Sequence, residues 1–161
     1  MGRGAPGMEA AKRPALSLGG IEIHVKMRAE ETDGALSALE VVVDPGWLAL
    51  PHRHAWEDEV CRVLDGEVGL RVDDEELRAG AGAYAFLPRG MAHAYWNPGP
   101  APARLQLLSV PGGVERFYQE LAGSPLGPLG AASAARRHGL VLVPEWIPDM
   151  VARFGLRVAG G

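Results

Sequence analysis

Residues 46–66 read GWLALPHRHAWEDEVCRVLDG: two histidines one residue apart, three acids within the next five positions, and a glycine at either end. On an extended strand, side chains two apart face the same side, so His52 and His54 project together. Alone, the pair fits two descriptions, solvated imidazoles on a surface strand or inward-facing ligands of a metal. The surrounding pattern decides between them.

Working outward, short strands and turn signals recur. Ile21, Ile23 and Val25 alternate with Glu22, His24 and Lys26, the period of a half-buried strand that opens the fold. Residues 35–54 give another strand, interrupted by the turn Asp44-Pro45-Gly46. Residues 59–88 string three short strands on Asp65-Gly66, Asp73-Asp74 and Gly80-Ala81-Gly82, and residues 103–113 read as a last central strand closed by Pro111-Gly112-Gly113. The period then changes. Val114, Phe117, Tyr118 and Leu121 form the apolar face of a short helix stopping at Gly123, followed by an Ala-rich helix ending at His138-Gly139 and an extended LVLVP segment. The expectation is an all-β antiparallel sandwich or barrel with short C-terminal helices. It divides into a flexible arm (1–20), a barrel (21–112) and a helical and extended appendage (113–161).

Composition agrees. A chain of 161 residues suits one domain, and 22 glycines with 13 prolines favour tight turns over long helices. A formal charge of -4 with scattered Lys and Arg provides no footprint for nucleic acid or for acidic membrane lipid. No apolar run reaches the length of a membrane span, and the Gly/Pro-rich start reads as a loose arm instead of a signal peptide. Cys61 is the lone cysteine, which excludes an internal disulfide and fits a reducing cytoplasm.

Gly46 precedes His52 by five intervening residues, Glu59 follows His54 after four, and Gly66 follows Glu59 after six; Gly82, Pro88, Gly90, His93 and Asn97 continue with intervals of five, one, two and three. These ten positions match both halves of the cupin signature, G(X)5HXH(X)4E(X)6G and G(X)5PXG(X)2H(X)3N, and the chain resembles the cupin superfamily over about residues 36 to 112. The resemblance implies a double-stranded β-helix, a jelly-roll barrel, with His52, His54, Glu59 and His93 holding one divalent metal. Glu59 has the motif position. Glu57 and Asp58 fall in the turn and read as a solvated loop, with a second reading in which their charge screens the mouth of the site.

Three imidazoles and a carboxylate suit Fe, Mn, Ni, Co, Cu or Zn, and on an octahedral ion they leave two positions open. Cys61 shares strand parity with Glu59, and Tyr95 with His93. Each either packs the core or lines the substrate cavity. Asn97 reads as satisfying loop backbone, and His24 and His138 as non-ligands. Trp47, Trp56 and Trp96 read as covers of barrel or dimer surface, Trp56 also standing where a pocket entrance would be. The PGG(X)ERF segment at 111–117 and the late Arg-His-Gly are similar to the quercetin-dioxygenase-like cupins. That resemblance implies a metal-dependent oxygenase acting on a small aromatic or enol-bearing metabolite, with O2 as co-substrate and Glu59 either staying ligated or taking a proton. Two alternatives stand beside it: a metal-assisted isomerase or lyase needing no O2, and a non-enzymatic small-molecule-binding module. A cytoplasmic homodimer completes the expectation.

Overall fold

The computed structural model describes residues 13–123 and 126–159. The strands are β1 (Leu16–Leu18), β2 (Ile21–Met27), β3 (Ser37–Val43), β4 (Trp47–Leu48), β5 (His52–His54), β6 (Asp58–Asp65), β7 (Glu67–Val72), β8 (Glu75–Gly80), β9 (Tyr84–Leu87), β10 (His93–Trp96), β11 (Ala103–Val110), β12 (Leu140–Leu142) and β13 (Arg157–Val158). The helices are α1 (Glu115–Gly123), α2 (Gly127–Arg137) and α3 (Ile147–Phe154).

Two sheets form the sandwich. One runs β1-β2-β3-β11-β6-β9; the other runs β12-β5-β10-β4-β13, with β7 also pairing β10 and β8 pairing β7. All pairings are antiparallel except β13 with β4. This is the expected jelly roll, and its cause is visible in the period-two burial. Ile21, Ile23, Val25, Leu39, Val41, Val43, Leu105 and Leu107 all point into one core, while their strand neighbours face outward. Gly46, Gly66 and Gly90 turn the chain with φ of 78°, 77° and 83°, a region costly for residues with a Cβ.

Four expectations are corrected. The arm assigned to residues 1–20 lies outside the described residues up to position 12, and at its end Leu16–Leu18 already pairs with β2, so β2 does not open the fold. Residues 58–87 hold four strands instead of three. Trp96 does not cover a surface: it is buried, stacked on Phe154 at 4.8 Å between ring centres, in a second apolar cluster with Leu48, Met150 and Leu156. The indole lies across Gly69, its cross-strand partner, where any Cβ would sit 2.1 Å from the ring. The helix that covers it, α3, was not foreseen, because Pro144 and Pro148 break up the short apolar period that builds it.

The PGG(X)ERF segment proves to be a bolt. Glu115, buried at the start of α1, accepts the backbone N–H of Ala29 at 2.8 Å and the hydroxyl of Ser37, and Ser37 in turn accepts the N–H of Gly113 at 2.8 Å. One carboxylate thereby ties α1 to β3 and to the turn after β2. Glu115→Ala strands two buried donors, and the expected cost is about 1–3 kcal/mol for each, seen as a lowered urea midpoint. A midpoint equal to that of the unaltered chain would refute this role.

Candidate metal centre

The site draws on both sheets. β5 is buried at His52 and His54 and exposed at Arg53 between them, as its pleat dictates. β10 pairs with β5 so that His93 stands opposite His52, which puts three imidazoles on the inner face of one sheet. Glu59 comes from the facing sheet, on β6 between Leu87 of β9 and Ser109 of β11. One donor atom from each of the four residues lies within 4.8 Å of the others, and all four side chains are buried. The four residues that the cupin resemblance implies as ligands are therefore brought together, and His24 and His138 stand apart, paired with Glu22 at 2.6 Å and Glu120 at 2.7 Å.

Inside the cluster, Nε2 of His52 lies 3.2 Å from Nε2 of His54, and Oε2 of Glu59 lies 2.8 Å from His54 Nε2 and 3.5 Å from His93 Nε2. His52 Nδ1 is 2.6 Å from the Leu50 carbonyl, an atom that can only accept, so the proton belongs on Nδ1 and the Nε2 lone pair faces the cluster. Burial and the neighbouring imidazoles hold His52 well below its usual pKa. For His54 burial also acts downward, but the carboxylates of Glu59 and Glu57 outweigh it and raise the ring to about 9. Burial acts upward on Glu59, and the charge of His54 close beside it outweighs that, so the carboxyl stays ionised far below the usual range.

The donor set fits a divalent cation. Two imidazole nitrogens 3.2 Å apart would oppose their lone pairs unless a proton or cation lay between them, and Glu59 Oε2 is buried without an aligned hydrogen bond. A metal at the convergence of His52, His54, Glu59 and His93 answers both.

Glu57 corrects the expectation of a solvated loop. It is buried, with Oε2 3.3 Å from His54 Nδ1, an ion-pair distance on the side of the ring away from the cluster. That is the place of a carboxylate that orients a metal-binding imidazole. Only its turn position three residues after His54 hinted at it. Asp58, expected in the turn, is instead the first residue of β6; it accepts from the Arg89 backbone at 2.9 Å and its guanidinium at 3.1 Å, tying the start of β6 to the turn before β10.

Tyr95 is buried and lines a cavity of about 20 Å3 with His52, Phe117, Tyr118, Ile21 and Ile23. That is room for about one water. Tyr118, read from sequence only as helix core, belongs beside it; its place on the apolar face of α1 was the only signal. Burial raises both phenols above their usual pKa, so they stay protonated. Cys61 lies outside the donor cluster, among Val63, Val68 and Leu70, and burial pushes its thiol up to about 12. Asn97 does serve the backbone: its amide donates to the carbonyls of Val43 and Ala101, each at 2.8 Å. Trp47 is half-buried, while Trp56 is 55% exposed on the outer side of the turn.

Residues 39–111 match the family model described as a cupin domain. Among curated proteins, the tetracenomycin polyketide synthase protein TcmJ of Streptomyces glaucescens is 32% identical over 74 residues, 46% of this chain and 48% of that protein. The chain thus spans about half the length of the curated relative it matches. Among solved structures, KdgF from Halomonas sp. is similar with a TM-score of 0.56 and 21% identity over 65% of this chain and 91% of that one. An RmlC-like cupin from Shewanella frigidimarina gives 0.56 and 21% over 65% and 88%. At such identities these structures speak for the fold.

Two outcomes follow from the site. Because His54 keeps its proton up to about pH 9 and a ligating imidazole is neutral, metal uptake at pH 7 should expel a proton. Affinity should then weaken as pH falls, by up to about tenfold per unit. Calorimetric heats that do not change with the ionisation enthalpy of the buffer would contradict this. Glu57→Gln should weaken metal binding roughly 10–100-fold, read by competition with a chelator.

Proposed function

We propose that this chain, whose residues 39–111 are a cupin domain, is a metal-dependent enzyme that oxygenates a small aromatic or enol-bearing metabolite. The observation that carries the proposal is the convergence of three Nε2 atoms and one ionised carboxylate inside the barrel, beside a wall of Phe117, Tyr95 and Tyr118. When bound, a divalent ion would supply Lewis-acid charge to a substrate oxygen and leave positions free for a second small ligand.

The chain's own groups have defined tasks in this reading. His52, His54 and His93 hold the ion, and the Leu50 carbonyl and Glu57 keep two of those rings turned toward it. Glu59, buried in the cluster with Oε2 2.8 Å from His54 Nε2, either stays a ligand or takes the acidic proton of an enol or phenol. The water-sized space beside His52 suits O2 or water, so only the reacting edge of a metabolite reaches the donors. Ile21, Ile23 and Phe117 give that space apolar walls. The 32% identity to a protein named for a polyketide synthase supports an enolisable, aromatic class of substrate. The subgroup resemblance of the 111–117 segment points the same way. The proposal takes the chain as a cytoplasmic homodimer, for which a sedimentation mass of one chain would be contrary.

The first measurement is the metal content of the protein as purified, followed by oxygen uptake with flavonols, diketones and catechols. Glu59→Gln should keep the fold and lower turnover by roughly 10²–10⁴. Undiminished oxygen uptake in that variant, with its metal retained, removes the proton-transfer role.

A second reading rests on Tyr95 and Tyr118. Two buried, protonated phenols beside His52 are donors for a substrate carbonyl, which suits an isomerase or lyase working at the same ion without O2. Turnover that continues undiminished under strict anaerobiosis selects it over the oxygenase.

A further inference from the structure

A second, larger cavity lies beside the barrel. Lined by α2, β12, β13 and the turn leading into α3 and open to solvent on one side, it holds about 550 Å3, the size of pockets that take small organic ligands. Its walls are apolar, with Leu129, Ala132, Val141, Leu142 and Ile147 among them. Arg136 on α2 is the one charged side chain that lines it.

Arg137, the next residue, is held by Glu120, whereas Arg136 makes no ion pair or side-chain hydrogen bond among the described residues. No acid lines the cavity among the described residues. An apolar space of this size with one unneutralised, fork-shaped cation is complementary to a molecule with a hydrophobic body and one carboxylate: the body leaves water, and the guanidinium takes both oxygens.

We propose that this cavity is a binding site for a small hydrophobic carboxylic acid, aromatic or branched, seated with its carboxylate on Arg136. The site is separate from the metal centre. Of the residues around it, only Leu50 also lines the small cavity beside His52. Binding therefore needs neither the metal ligands nor turnover, and it stands or falls apart from the oxygenase reading.

The test is calorimetric titration of the full chain, as purified, with 2-naphthoate and with its neutral counterpart 2-naphthamide. The acid should bind saturably at one site, at least about tenfold tighter than the amide, as a charge-assisted pair demands. Arg136→Ala, an exposed position, should bring the acid down to the level of the amide. Ala132→Trp, which fills the cavity, should remove the binding of both. His52→Ala should leave the acid's affinity within about twofold, since the metal centre is not its anchor. No saturable binding, equal binding of acid and amide, undiminished binding in Arg136→Ala or Ala132→Trp, or loss of binding in His52→Ala would each overturn the proposal.

Discussion

The constraint on which this molecule turns is the enclosure of one carboxylate and three imidazoles in a space that water barely enters. Buried ionisable groups are costly unless each finds a partner, and here the partners sit on opposite sheets. Glu59 is fixed from both sides by β9 and β11, and the histidine strands by their own ladder, so the gap between sheets is set by cross-sheet core packing. A change of one pleat in either sheet would turn donors outward. The alternation of Leu39, Val41, Leu105 and Leu107 opposes such a slip, because it would expose the core along with the site.

Legibility in the sequence followed the range of the interaction. Strand parity alone placed His52 and His54 on one face; Glu59 and His93 joined them only through the resemblance of the ten-position pattern to the cupin signature. Asn97 was legible in part for its locality: two of its bonds close a loop a few residues long, while the third, to Val43, reaches 54 residues back. Glu57 was not, since the direction of a turn side chain depends on what the barrel leaves open to it. Trp96 was misread as a surface cover because its lid, α3, arrives some fifty residues later behind two prolines. The pairing of β12 with β5 and the cavity beside α2 are likewise products of distant segments that no period announces.

The two unusual carboxylates divide along these lines. Glu115 and Glu57 are both buried, yet Glu115 is fully engaged by a backbone N–H and a hydroxyl, whereas Glu57 has an atom without an aligned partner and faces a histidine. Satisfied polarity marks the first as architecture. Incomplete satisfaction beside an imidazole marks the second as belonging to the centre, much as the water-sized cavity beside His52 belongs to it.

The strand that carries the histidine pair is flanked by β10 from within the matched domain and by β12 from beyond it, with Leu140 opposite His54 and Leu142 opposite His52. The appendage is thus the outer wall of the ligand strand, and its order and that of the donors are linked. Without it the ligand strand would be an unsupported edge, its N–H and C=O groups on that side unpaired. The matched domain by itself therefore does not finish the sheet that carries the histidines.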